Sequence, residues 1–184
     1  MENQKEKKLK KITVVKEVFV FALIFLLFWK VIPHYVIERT LVDGISMQDT
    51  LQNKDQLLVE KVSYRFGDPK RFDIVILMPY GRDVDEYFIK RIIGLPGETI
   101  QINDSKIYIN GEVLNENYGK EAIENAGIAA EPITLGKDEY FVMGDNRNQS
   151  DDSRVDYIGP IKRNLIIGRA ILRIWPLNEF GSID

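Results

Sequence analysis

The 184-residue sequence contains no cysteine and only one histidine, and these two shortages narrow the chemistry open to it. Without cysteine the chain can form no disulfide, use no thiol nucleophile and hold no cysteine-ligated metal. A metal site built from several histidines is equally excluded, and no acidic segment has the spacing of an oxygen-ligand loop. We therefore predict neither a metal nor a cofactor.

The chain also lacks an excess of positive charge. Its net charge is −3 and its pI is about 5.4, which does not favour a nucleic-acid partner. The charge is unevenly distributed, however, because residues 1–17 carry six lysines against three glutamates. This basic segment directly precedes an apolar one.

Residues 18–37 are interrupted only by Lys30 and His34, and a run of about 20 apolar residues is what a bilayer span requires. A cleaved secretory signal peptide is one alternative, but no small-x-small site follows. A buried helix is another, yet this segment is apolar on every side. We predict an uncleaved single-pass anchor in the plasma membrane, in contact with lipid. The positive-inside rule then places residues 1–17 in the cytoplasm and residues 38–184 outside it.

Residues 38–184 have the pattern of a mainly β domain, a barrel or a sandwich. Turn signals such as MPYGRD, GLPGE and NG separate the candidate strands. Residues 115–135 are less regular and are expected to hold a short helix or a mobile loop, inside a small inserted subdomain at about 99–137. The predicted strands are 40–42, 56–62, 72–77, 86–93, 99–102, 106–109, 140–143 and 166–175.

One of these strands, in the segment EYFIKRIIGLPGE, carries a lysine between apolar neighbours. Alternate residues share a face of a strand, so Lys90 lies between Phe88 and Ile92. Lys90 either extends its ammonium to water or is buried and loses its proton. Roughly one lysine in 2,500 is neutral at pH 7 when its pKa is unperturbed, so only a buried lysine could act as a base.

A hydrolase with this composition needs a carboxylate or lysine base, because the single histidine lies at the end of the predicted anchor. Among the serines, Ser46 follows the anchor in LVDGISMQDTL with an apolar approach and a glycine two residues before it. Ser46 and Thr50 could equally be turn or capping hydroxyls. Residue patterns alone leave both interpretations open.

Several segments in order resemble the type I signal peptidases in their short bacterial form: GISMQDTL, RFDIVIL, YFIKRIIGLPGE and VMGDNRNQSDDSR. The resemblance implies a signal-peptidase-like β domain and a serine/lysine endopeptidase that removes signal peptides from exported preproteins. It implies Ser46 as nucleophile, Lys90 as general base and Ser150 as the serine that orients the lysine. The residues that it implies in supporting roles are Asp145, Asp152 and Arg154.

The resemblance also implies shallow pockets for small residues at the first and third positions before the cut, the Ala-x-Ala pattern. Three positions depart from the family. Gly44 lacks the hydroxyl that some members place two residues before the nucleophile, Asp49 replaces a usual proline, and Phe72 replaces a frequent glycine. The residues expected to line the pockets are Val42, Asp43, Leu51, Phe88 and Ile89.

Two other functions compete with this interpretation. A self-cleaving repressor would use the same serine and lysine, but the anchor and the lack of a DNA-binding domain argue against it. A non-catalytic membrane-tethered domain could keep the motifs as scaffold, although such a relative has usually lost one of the two residues. A Ser46→Ala variant distinguishes the two functions. Loss of cleavage with retained folding would support the enzyme, and unchanged cleavage would exclude it.

Overall fold

The structure is a computed structural model that describes residues 2–81, 83–119 and 121–183, with the backbone alone for residues 2–10, 12 and 31–34. The chain divides into two compact units, Met1–Ile37 and Glu38–Asp184. The first unit consists of one long helix, and the second contains nearly all of the β structure.

Helix α1 spans Glu2–Tyr35. Large apolar side chains between Val14 and Trp29 are exposed along it. Among the residues that the structure describes, no helix is both long enough and apolar enough to cross a bilayer. The predicted anchor at 18–37 falls mostly within α1, while the side chains of residues 31–34, including His34, lie outside the described residues.

Twelve strands follow α1 in the described chain. Besides a single-turn helix α2 at Ser63–Phe66, three short 3-10 helices occur at Gly127–Ala130, Arg163–Leu165 and Leu177–Glu179. The strands are β1 (Ile37–Leu41), β2 (Gln56–Glu60), β3 (Ile74–Leu77), β4 (Phe88–Gly94), β5 (Thr99–Asn103), β6 (Lys106–Ile109), β7 (Glu112–Val113), β8 (Ile133–Thr134), β9 (Glu139–Met143), β10 (Ile161–Lys162), β11 (Ile166–Trp175) and β12 (Gly181–Ser182).

The strands form two sheets. The larger one has the order β1-β2-β11-β3-β4-β9-β10, with β12 added beside β11, and the smaller one has the order β7-β6-β5-β8. Register shifts interrupt the pairing of β11 with β2 and β3, and that of β4 with β9. Such irregularities bend a strand and increase its twist.

Alternation of apolar and polar residues explains how the smaller sheet contributes to the core. In β5 the side chains of Ile100 and Ile102 are buried while their neighbours are more exposed. Ile100 and Ile102 pack with Phe141 and Met143 of β9, so one apolar cluster joins the two sheets. A second cluster lies under β2 and the loop that follows β1, and a third lies between β3, β9 and β11.

All eight predicted strands are present, and two of them, 106–109 and 166–175, have the predicted ends. The prediction was wrong at 72–73, because Phe72 has a φ of 73° and forms a turn before β3 begins. It also missed β7, β8, β10 and β12, which are two residues long and carry no periodic pattern. The irregular segment 115–135 contains the 3-10 helix at Gly127–Ala130 and β8.

Gly94, the last residue of β4, lies where the larger sheet meets the smaller one. A Cβ atom at this position would lie 2.5 Å from Cδ1 of Ile100 and 2.9 Å from Cδ1 of Leu135. We expect Gly94→Ala to lower the free energy of unfolding by about 1–3 kcal/mol, because a packed core does not absorb an added methyl group. Chemical denaturation measures the change.

Gly181→Ala is the matched control, because a Cβ at Gly181 meets no atom within 4 Å. Its stability should stay within about 0.5 kcal/mol of the wild type or rise slightly. Equal losses in the two variants would contradict the close packing at Gly94.

Candidate active site

The side chains of Ser46 and Lys90 meet in the lining of a groove in the larger sheet. Lys90 projects from β4, and Ser46 lies in a turn that follows β1. Nζ of Lys90 lies 2.7 Å from Oγ of Ser46, which is hydrogen-bonding distance. The two residues are 44 positions apart in sequence, so the sheet and the turn together create this contact.

The Lys90 side chain is buried, with 4% of its surface exposed. Burial lowers the pKa of Lys90 from 10.5 to about 8, because removing water penalises the charged amine; the nearby carboxylates of Asp152 and Asp151 partly oppose this. The ring of Phe88, 4.8 Å from Nζ, also favours the ammonium. Desolvation outweighs these attractions, so about one Lys90 in ten is neutral at pH 7, against roughly one in 2,500 for an unperturbed lysine.

The turn that carries Ser46 is held by Asn146, in the segment after β9. The backbone N–H of Asn146 donates to the carbonyl oxygen of Ser46 at 3.0 Å, and its side-chain amide donates to the Ile45 carbonyl at 3.2 Å. Close packing also requires glycine at 144, where a Cβ would lie 2.4 Å from the Ser46 carbonyl oxygen. The segment from 144 to 146 therefore fixes the backbone on which Ser46 sits.

A buried ion pair holds the same turn from another direction. The guanidinium of Arg91 makes two bonds to the carboxylate of Asp145, at 2.9 and 2.8 Å, and both side chains are almost completely buried. The Thr50 hydroxyl donates to Asp145 at 2.5 Å. The Tyr118 ring covers the Arg91 guanidinium at 3.5 Å. Asp145 thus connects the strand of Lys90 to the turn of Ser46.

Asp152 and Arg154 form a second buried ion pair. Asp152 accepts hydrogen bonds from the Arg154 guanidinium at 2.8 Å and from the Gly144 N–H at 3.0 Å. Arg154 also donates to the carbonyl oxygens of Arg147 and Asn125. These two residues therefore order the loop beside the site and do not contact Ser46 or Lys90 through these bonds.

Ser150 was expected to hydrogen-bond to Lys90. Its Oγ is buried, and within the described chain it has no hydrogen-bond partner. A Cβ at Gly144 would lie 2.3 Å from this oxygen, so Ser150 is close to the Ser46 turn. The orienting role of Ser150 stays a prediction.

The groove beside the dyad has a volume of about 460 Å³. Four of the five predicted pocket residues line it, and the fifth, Leu51, is completely buried in the core beneath it. Met47 and Ile76 line the groove as well, and the sequence did not single them out as pocket residues. The four predicted residues in the lining are Val42, Asp43, Phe88 and Ile89.

The three departures from the family pattern share one backbone property. Gly44, Asp49 and Phe72 have φ values of 113°, 95° and 73°, in the region that favours glycine. Proline, whose φ is held near −65°, could not adopt the conformation of Asp49. The Phe72 ring packs against Tyr118 at 5.2 Å, a contact that offsets part of the cost of its strained backbone.

Sequence reasoning missed Thr50, Arg91, Tyr118 and Asn146 as site residues. Arg91 follows Lys90 and Asn146 follows Asp145, so their position next to a predicted residue was a signal that could have found them. Tyr118 belongs to the irregular segment 115–135, where the sequence contains no such signal. Within the described residues, no group of three or more acidic or histidine side chains is arranged to hold a metal ion.

Comparison with known proteins identifies the family to which this chain belongs. The family model described as "Signal peptidase, peptidase S26" matches residues 13–175. The chain is 40% identical over 155 residues to the probable signal peptidase I-2 of Synechocystis sp., covering 81% of this chain and 68% of that protein. It is 39% identical over 155 residues to signal peptidase I T of Bacillus subtilis, covering 80% and 79%.

Among solved structures, a signal peptidase I from Enterococcus faecalis is 35% identical and covers 56% of this chain and 97% of that chain, with a TM-score of 0.42. On the strength of the sequence matches, the chain is a hydrolase of the serine endopeptidase class. It belongs to the signal peptidase family, peptidase S26.

The position of Asp145 leads to a stability prediction. Asp145→Asn removes the charge that compensates buried Arg91, so we expect the free energy of unfolding to fall by about 3–5 kcal/mol. Asp68→Asn is the matched control, because the Asp68 side chain is 83% exposed in its ion pair with Arg163 and should change stability by less than about 1 kcal/mol. Equal losses in denaturation experiments would contradict the positioning role of Asp145.

Proposed function

We propose that the chain removes signal peptides from exported preproteins, with Ser46 as nucleophile and Lys90 as general base. The 2.7 Å contact between the Ser46 hydroxyl and the buried Lys90 amine is the observation that carries this proposal. A serine becomes nucleophilic when an adjacent base can take its proton, and a lysine can do so only in its neutral form.

The proposed reaction has two steps through an ester. Oγ of Ser46 attacks the scissile carbonyl carbon while its proton passes to Nζ of Lys90. The tetrahedral intermediate then collapses, the C–N bond breaks, and the new amine leaves with the proton from Lys90. In the second step Lys90 takes a proton from water while the water oxygen attacks the ester carbon. The ester C–O bond then breaks, Lys90 returns the proton to Oγ of Ser46, and the signal peptide leaves with a carboxyl terminus. Ser150, whose buried Oγ is close to the turn, would orient Lys90 once substrate is bound.

The proposed site for the oxyanion is the backbone N–H of Ser46. This N–H takes no part in the hydrogen bonds within the described residues, so it is available to a developing negative charge. Gly44 supplies no hydroxyl, and its own N–H donates to the Asn53 side chain at 3.2 Å. The oxyanion would therefore be stabilised by backbone and water.

We propose that the substrate binds as an added strand. The β9 ladder pairs with β4 from Arg91 onward, so the edge of residues 88–90 that faces away from β3 is left for another chain. On the other side of the groove, Val42 pairs with residues 54 and 55. A peptide lying between these two segments would reach Ser46 with its side chains against Val42 and Ile89. We propose that these walls accept small side chains, as in the Ala-x-Ala pattern.

We also propose that residues 18–37 anchor the protein in the plasma membrane, with residues 1–17 in the cytoplasm and residues 38–184 outside. The exposed apolar side chains along α1 support this, as does the lysine-rich start of the sequence. Anchoring the enzyme in the membrane that holds its substrate would raise their effective concentration.

The pH dependence of cleavage tests the dyad. We expect Ser46→Ala and Lys90→Met to fold but to lose cleavage of an Ala-x-Ala preprotein by at least about 1,000-fold. Wild-type cleavage should rise by about tenfold per pH unit below pH 8 and level off above it, because only the neutral amine accepts a proton and burial lowers the pKa of Lys90 to about 8.

Ser182→Ala and Lys106→Met are the matched controls, since both residues are exposed strand residues away from the groove. They should retain wild-type rates. Cleavage by a folded Lys90→Met variant at the wild-type rate would remove Lys90 from the mechanism.

The size of the groove leads to a specificity prediction. Ile89→Ala removes bulk from the groove wall, so cleavage after Val relative to Ala should rise by about tenfold. Ile109→Ala, which shortens a partly buried side chain of the smaller sheet, should leave this ratio at the wild-type value. An unchanged ratio in Ile89→Ala, measured as kcat/KM on paired peptides, would show that Ile89 does not set the pocket.

A further inference from the structure

A second cavity, of about 750 Å³, adjoins the groove. The groove and the cavity share Gln149 and Asp151 in their linings, and Ser150 between them lines the cavity. The groove walls formed by residues 40–47 and 86–90 accept the chain before the cut in the proposed function. A peptide that lies there must continue past Ser46, and the cavity offers it a space that shares two lining residues with the groove.

The walls of this cavity are held together by specific contacts. Residues 124–128 form one wall, and residues 147–156 form the other. The N–H of Ile128 donates to the Arg154 carbonyl at 2.9 Å, and the N–H of Glu124 donates to the Asn148 side chain at 3.0 Å. A Cβ at Gly127 would lie 2.1 Å from the Arg154 carbonyl oxygen, so the two walls touch closely.

The charges in the lining are unbalanced. Both arginines are neutralised, Arg147 by two bonds to Glu116 and Arg154 by two bonds to Asp152. The lining also contains the carboxylates of Glu124, Asp151 and Asp156, and in the described part of the chain none of these has an ion-pair partner. Asp151 lies near the Tyr157 hydroxyl, which does not cancel its charge. Counted over the described residues, the lining of the cavity is therefore net negative.

We propose that this cavity binds the first residues of the mature chain, after the scissile bond, and selects basic over acidic side chains there. The inference rests on the proposed function and adds to it a subsite with a charge preference. A basic side chain in the cavity would lie near uncompensated carboxylates, whereas an acidic one would be repelled. The new amino terminus also becomes cationic on release, so the same carboxylates attract it.

The test uses the full chain in detergent and peptides that are identical up to the cut. The second and third residues after the cut are both Lys, both Gln or both Glu, and kcat/KM is measured at about pH 9, where Lys90 is mostly neutral. We expect the wild type to prefer Lys over Glu by at least about fivefold, since each exposed charge pair contributes modestly. Raising salt from about 0.05 M to about 0.5 M should reduce this preference.

The double variant Glu124→Gln/Asp156→Asn decides the question, because neither residue is among the charges that act on Lys90. The Lys-to-Glu ratio should fall toward 1 in this variant, and it should fall further when Asp151→Asn is added. Glu112→Gln, an exposed change on β7, should keep the wild-type ratio. A ratio that is the same in the double variant and the wild type would overturn the proposal.

Two kinds of failure are distinguishable. If the wild type cuts all three peptides at the same rate, the charge preference is wrong while the proposed function stands. If it cuts none of them, the proposed function fails and the subsite fails with it.

Discussion

The removal of water from the Lys90 amine is the constraint on which the rest of the site depends. A lysine at the surface would be charged at neutral pH and could take no proton from a serine 2.7 Å away. Burial at 4% exposure favours the neutral amine, although Asp152, Asp151 and Asp145 all favour the charged form. Desolvation by the apolar walls of the larger sheet must therefore change the pKa of Lys90 more than these carboxylates do.

The carboxylates nevertheless have a structural reason to be close. Asp145 and Asp152 each hold a buried guanidinium, and through these pairs they hold the turn of Ser46 and the loop after β9. Buried ion pairs add little net stability, but removing one partner is costly, so such pairs are well suited to fixing a geometry. The site thus combines one buried amine that can be neutral with two buried guanidinium groups that are each paired with a carboxylate.

The sequence predicts the fold where side-chain alternation is long enough to be detected. Strands of four or more residues were found, whereas the two-residue strands depend on pairing partners that no local pattern reveals. Phe72 shows a different failure: its apolar side chain resembled the start of a strand, but tertiary contact with Tyr118 stabilises it in a left-handed turn.

The sequence predicts the candidate site only for residues that stand out in their local pattern. Ser46 and Lys90 stood out as a possible hydrolase pair, and the structure brings their side chains within hydrogen-bonding distance. Their catalytic roles stay a prediction. The sequence did not predict the roles of Arg91 and Thr50. No local pattern shows which carboxylate a charged or hydroxyl side chain will contact in the folded protein. Leu51 likewise looked like a pocket residue, and only the packed structure places it in the core.

The most direct test of this account is the pKa of the Lys90 amine in the folded protein. Lysine labelled with ¹³C at Cε can be titrated by NMR, and a spectrum of Lys90→Met assigns the Lys90 signal. The account predicts a midpoint of about 8 for Lys90, while exposed lysines titrate near 10.5. A Lys90 midpoint equal to that of the exposed lysines would contradict it.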